Sequence, residues 1–414
     1  MALGEREIRV CEAIERRARE LLSDLRLHVG IPTGGNNKAG LDESRERLTG
    51  RMKALGAEIE LVPGAAKPSW LYGGSEGGYV PPVAVGRVKR GGGGGGVWGR
   101  PILLAGHLDT VHDPASAFRE LTIASDGRTA TGPGCVDMKG GLVIAMAALE
   151  ALEEAGERVN WSFLLNSDEE TGSYHSEAAL RAEAQRVLAQ DAGAIGLALE
   201  PAAADGSLVV ERAGSGQFMV EVFGKSAHVG RDFASGVSAV TALARCLVEI
   251  AGLPAPERQL IVNVGPIESN RATNVVPDRA RAWGNVRFQT WDGAKELEEK
   301  LRAIAARHSG ASGLPRLVVH TSFNRPAKPM IEGTRSLAAA ARSAAEDLGQ
   351  RLPFGKTAGV CDGNILQDAG LPCIDTVGVR GGGLHTPQEW IELPSLVERC
   401  QLLAVLMMRI GGGQ

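Results

Sequence analysis

His107 and Asp109 stand two residues apart at the end of PILLAGHLDT, residues 101–110. Pro101 to Ala105 reads as a fully buried strand of a parallel sheet. In extended backbone, residues two apart project to one side. An imidazole and a carboxylate therefore leave the carboxyl end of this strand together, at the edge where open α/β sheets bind ligands. Alone, such a histidine is more often an ordinary partly buried residue. Three more apolar runs lead to groups of the same kind. VNWSFLL (159–165) precedes Glu169 and Glu170, AIGLAL (194–199) ends in Glu200, and PCIDTV (372–377) is followed by a glycine-rich loop that delivers His385. Asp137 sits in a tight loop after Gly132 and Gly134. Each has a bland explanation: adjacent glutamates are usually a solvated face, and Glu200 before a proline can merely close a strand. Their common edge is what outweighs these, because chance would scatter acids and histidines over both edges and the helices.

Two histidines and three carboxylates suit a pair of divalent ions, zinc first, with cobalt or manganese as alternatives. Asp137 is the natural bridge, since a carboxylate can give one oxygen to each ion. Ions paired in this way sit roughly 3.5–4 Å apart and clamp a hydroxide against a polarised carbonyl. Asp109 reads as the acceptor of the other N–H of His107, fixing its tautomer. One of Glu169 and Glu170 then stays unligated as a general base, moving a proton from water to a leaving amine.

The elements that must hold these groups alternate. Helical spacing over residues 5–29 and 41–55, a short strand at Glu58–Val62, and the strand–loop–helix units after residue 101 predict a doubly wound, mixed α/β sheet. The rhythm changes near Ala213. Strand Gln217–Phe223, helix Ser235–Ile250, strands Gln259–Val264 and Ala280–Phe288, helix Ala294–His308 and strand Arg316–Thr321 follow the split βαβ (ferredoxin-like) order. Residues 214–321 are thus expected to form an inserted α+β domain, with 1–213 and 322–414 building the first, discontinuous one. Helices at 334–349, about 362–369 and about 394–410 complete it.

Length and composition agree. At 414 residues the chain is long for one core. A net charge of −4 without a basic run gives no support for nucleic-acid binding. No stretch approaches a membrane span, and the opening MALGEREIRVCEAIERRARELL reads as an amphipathic helix, not an export signal. Cys11, Cys135, Cys246, Cys361, Cys373 and Cys400 lack CxxC spacing, which suits reduced thiols in a cytoplasmic protein. Six glycines, Gly91–Gly96, formally match GxGxxG, but Val-Trp-Gly-Arg-Pro follows and cannot open a helix. A hairpin tip is expected there, and a nucleotide-dependent oxidoreductase loses its one support.

GHLDTV, GPGCVDMKGG, NSDEETGS, ALEPA, GKSAHVG, ATNVVPDRA and LHTP, in this order, resemble the zinc-dependent carboxypeptidase and deacylase family. That family includes carboxypeptidase G (glutamate carboxypeptidase), succinyl-diaminopimelate desuccinylase, acetylornithine deacetylase and aminoacylase, with carboxypeptidase G looking nearest. The similarity spans nearly the whole chain. It implies a metallohydrolase with a dinuclear site, Asp137 bridging, His107 and Glu200 completing one metal site, and Glu170 and His385 the other. It implies Glu169 as the catalytic base, Asp109 orienting His107, and a non-proline cis peptide after Asp137. It makes the inserted domain a lid and homodimer contact, from which His228 crosses to help stabilise the oxyanion in the partner's site. Asn274, Arg287 and Arg325 match positions suited to a substrate carboxylate, which arginine grips bidentately; Arg287 could equally be a solvent-facing strand residue.

Two stretches depart from the family's pattern. Ala358-Gly359-Val360-Cys361-Asp362 stands where relatives have a Gly-Gly-Thr/Ser-Asp type of loop, and the loop before His385 carries an extra charge, Arg380. Either can retune substrate choice. The leading expectation is a hydrolase of an amide bond, peptide or N-acyl, in a small carboxylate-bearing molecule. Hydrolysis of a nonpeptide C–N bond on the same machinery is the alternative, and a non-catalytic metal-binding scaffold is the reading from another class.

Overall fold

The computed structural model describes residues 2–35, 37–72, 78–88, 99–270 and 272–411. The glycine run 91–96 read as a hairpin tip lies outside them. The central sheet has six strands in the order Glu58–Val62, Val83–Arg87, Trp161–Asn166, Ile102–His107, Ile195–Ala198 and Cys373–Ile374. The first two and the junction to Trp161–Asn166 are antiparallel, and the remaining pairs are parallel. This is the mixed doubly wound sheet expected. Ile102–His107 has every residue buried, so both faces of the strand must be covered. They are: Ile102 and Leu104 join the large cluster under the helices Lys139–Glu154 and Ser395–Gly411, whereas Leu103 and Ala105 join a second one under Glu177–Gln190 and Asp362–Asp368.

From Ile102–His107 the chain goes next to Trp161–Asn166 on one side and then to Ile195–Ala198 on the other. Such a reversal opens a crevice at the carboxyl ends of the strands. Gly141 lets the helix after Asp137 approach it, since a Cβ there would stand 2.2 Å from the carbonyl oxygen of Leu199, one residue before Glu200.

Residues 214–325 form a separate four-stranded antiparallel sheet in the order Ile261–Ser269, Arg279–Phe288, Gly214–Phe223 and Arg316–Arg325. Helices Ala239–Ile250 and Trp291–His308 share its own apolar cluster, whose buried members run from Phe218 to Leu317. Its last strand continues four residues past the expected boundary at 321, carrying Arg325 back toward the first sheet. The helix expected from Ser235 starts at Ala239 instead, because Ser238 accepts from the Thr241 N–H at 3.1 Å and caps it. Residues 5–29 make two helices, Glu5–Arg16 and Ala18–Val29, broken at Arg17. The strand expected over 372–377 is only Cys373–Ile374; Thr376 turns the backbone away with φ 59°. All six cysteines are buried and unpaired. No described helix is long and apolar enough to cross a membrane.

Candidate metal centre

The carboxyl ends of the parallel strands and the loops beyond them converge. His107 closes its strand, and its Nε2 lies 3.2 Å from Oδ1 of Asp137. His385 Nε2 lies 3.5 Å from the other Asp137 oxygen and 3.2 Å from Oε2 of Glu170. Two donor groups result: His107, Asp137 and Glu200, and Asp137, Glu170 and His385. Within each, one ligand atom per residue lies within 4.8 Å of the others. The peptide between Asp137 and Met138 is cis, and His385 has φ 62°, a left-handed backbone held by the loop around it.

The charge balance of this cluster fits a pair of cations. Burial pushes the Glu170 carboxyl up, and burial together with the neighbouring Glu169 pushes Glu200 well up. Burial would raise Asp137 too, but hydrogen bonds from His107 and His385 hold it below the ordinary carboxylate range. His385 is drawn up to about 10 by Asp137 and Glu170. Three carboxylates thus crowd two imidazoles, four of the five groups being largely shielded from water and His385 exposed, and dications would relieve that excess of negative charge. Oxygen and imidazole donors without thiolate suit zinc, cobalt or manganese.

Glu169 borders the donor groups without belonging to either. It is buried, and burial pushes its carboxyl up to about 7 against the pull of Arg325. Arg325 lines one of the cavities beside this cluster and is also bonded within the protein. Its guanidinium donates to Glu169 Oε1 at 2.5 Å, to the Glu169 carbonyl at 2.8 Å and to Ser173 Oγ at 2.6 Å. Asp109 has a second set of partners beside His107. Nδ1 of His107 meets the backbone carbonyl of Asp109 at 2.9 Å and lies 3.5 Å from its carboxylate. The Asp109 carboxylate also accepts the backbone N–H groups of Glu169 (3.2 Å) and Glu170 (3.0 Å).

Two cavities open on the cluster and share Glu169, Glu170, Gly359, Val360 and His385. One, of about 790 Å³, runs past Glu200 to Ser207 and Thr357. The other, of about 610 Å³, is walled by Tyr174, Ser215, Asn285, Arg287 and Lys67. Lys67 was not picked out in the sequence, where a lone lysine before Pro68 gives no signal. His228 and Asn274 lie elsewhere. They are neighbours across the bridge between His228 and Val275, exposed, and line neither cavity of this chain. Arg380 also departs from expectation: it is paired with Glu392 at 2.7 Å and with Glu398, away from both cavities.

Residues 103–409 match Peptidase family M20/M25/M40. The chain belongs to that family. It is 26% identical over 395 residues to carboxypeptidase G2 of Pseudomonas sp. (strain RS-16), covering 93% of this chain and 88% of that protein. Among solved structures, aminopeptidase PepT of Bacillus cereus superposes with a TM-score of 0.70 at 20% identity, covering 95% of this chain and 98% of the other. The YXEP protein of Bacillus subtilis, described as a dinuclear metal-binding peptidase of the M20 family, gives 0.61 at 16% identity, covering 97% and 100%. These structures share the fold. Membership makes the chain a metallohydrolase.

Proposed function

We propose that this metallohydrolase cleaves an amide bond, peptide or N-acyl, in a small carboxylate-bearing substrate, as a carboxypeptidase G-like enzyme. The observation that carries the reading is Glu169, a buried carboxylate beside both donor groups and part of neither. A site that only holds ions has no need of it. Two divalent ions, zinc first, held by His107, Asp137 and Glu200 and by Asp137, Glu170 and His385, would polarise the scissile carbonyl and make a water acidic enough to attack it. Glu169 takes the proton of the attacking water and passes it to the leaving nitrogen. Arg325 holds that carboxylate in place, and Asp109 fixes the backbone of both glutamates.

The substrate carboxylate is assigned to the 610 Å³ cavity. Arg287 there donates from Nη1 only to the neutral acceptors Ser215 Oγ, Asn285 Oδ1 and the Val286 carbonyl. Neither Arg287 nor Lys67 has a carboxylate partner among the described residues. Half-buried cations without counter-ions favour an anionic ligand.

In this reading residues 1–213 and 322–414 carry the chemistry, residues 214–321 form a lid and dimer contact, and the enzyme is a cytoplasmic homodimer. Support comes from the edge strand Ile261–Ser269 and the helix Ala239–Ile250, which expose Ile261, Ile267, Val240 and Val248. An exposed apolar edge is a template for another chain. A partner docked there brings His228, with Asn274 beside it, toward the opposite site as an oxyanion donor.

The test is a screen of N-acyl and γ-glutamyl amino acids on zinc-, cobalt- or manganese-reconstituted protein, scored by release of free amine. Hydrolysis of at least one class, abolished by chelation, is expected. Activity that survives exhaustive chelation overturns the reading.

A further inference from the structure

Glu389 is buried, four residues beyond His385, and its carboxylate binds none of the donor side chains. Oε1 accepts the backbone N–H of Val136 at 2.9 Å and of Asp137 at 3.0 Å. Oε2 accepts the N–H of Gly134 at 3.0 Å and meets Nε2 of His112 at 2.6 Å. An ionised carboxylate only accepts, so Nε2 of His112 carries the proton. Four donors on two oxygens satisfy a buried charge that would otherwise be costly.

The four donors come from two segments, and the carboxylate from a third. His112 lies five residues past His107, Gly134 to Asp137 is the loop of the shared ligand, and Glu389 closes the turn that starts after Gly383 and carries His385. Further contacts bind the same pieces: the Gly132 N–H reaches the Glu389 carbonyl at 3.2 Å, and Trp390 pairs with Thr131. Each segment supplies a member of the donor groups, and a carboxylate from the third is hydrogen-bonded to the other two.

We propose that Glu389 is a positioning residue for the metal centre. It sets the backbone at Asp137 and fixes the spacing between the segments of His107, Asp137 and His385. The inference rests on the metal-binding reading of those residues. Partners one step removed from the metal typically govern affinity by about 10–100-fold, and here the step runs through backbone N–H groups.

The experiment measures zinc stoichiometry and affinity by competition with a chromophoric chelator, alongside thermal unfolding of the metal-free protein. E389Q keeps one oxygen and the side-chain volume, whereas E389A leaves the three loop N–H groups without an acceptor. Zinc affinity should fall in the order wild type, E389Q, E389A, with a loss of about 10–100-fold for E389A. L297A, in the apolar cluster of the other sheet, is the control. It should lower the melting point of the metal-free protein and leave zinc affinity unchanged. If E389A does not fold, E389Q against L297A decides. Wild-type zinc affinity in the weakest variant that folds overturns the role, as does an equal loss in L297A. A wild-type protein that takes up no zinc overturns the metal reading itself, a separate and recognisable failure.

Discussion

Glu169→Gln separates proton transfer from metal holding, because Glu169 lies against the donor groups without entering them. The substitution keeps the volume, and a glutamine oxygen can still accept from Arg325 Nη1, now 2.5 Å away. What disappears is the negative charge. A hydrogen bond between charged groups contributes about 1.5–3 kcal/mol. Part of that is retained, since Asp362 remains 3.7 Å from the same guanidinium. The fold should therefore lose only about 1–2 kcal/mol. Turnover should fall by about 10²–10⁴-fold, the size of a general-base effect, or roughly 2.7–5.4 kcal/mol in the barrier. The barrier effect exceeds the stability effect, so a folded, metal-loaded, nearly inactive protein is expected. Amine release under saturating zinc gives kcat, elemental analysis gives metal content, and thermal unfolding gives the stability change. Near-normal kcat with two ions bound would refute the assignment of the base. Loss of the ions would show that Glu169 is a ligand instead.

Arg287→Ala should lower kcat/KM for carboxylate substrates by roughly 10- to 150-fold, the equivalent of one charged hydrogen-bonded contact. Substrates with that carboxylate amidated should show little change, and an equal loss on both would remove the assignment. His228→Ala should depress kcat more than it raises KM, with the dimer intact on sizing; wild-type monomer active at high dilution would contradict a role across the interface. His28 is buried with Nδ1 unpartnered, and burial pushes its pKa down to about 4 from an ordinary 6.5. The folded state then binds fewer protons than the unfolded state between those values. Stability is therefore full above about pH 6.5 and declines toward pH 4, by at most about 3 kcal/mol. Metal-free His28→Gln protein, followed by urea unfolding across that range, should lose this slope; an unchanged slope assigns it elsewhere.

The sequence alone was enough to gather the donor groups at one edge, because each donor follows a buried strand or sits in a glycine-bearing loop, and buried strands announce themselves by unbroken apolar runs. The period change near Ala213 likewise announced the second sheet. Its final strand was cut short because Ser322 to Arg325 has no apolar alternation to read. What the sequence left undecided was which polar group satisfies which. Asp109 turned out to hold the backbone of Glu169 and Glu170, 60 and 61 residues away. Arg325 reaches Glu169 across 156 residues, and Glu389 reaches Asp137 across 252. Strand and helix formation is governed by neighbours a few residues apart, so it leaves a periodic trace. A buried charge finds its partners only after distant segments have packed, and its place in the chain carries no period. Tertiary structure alone made those pairings.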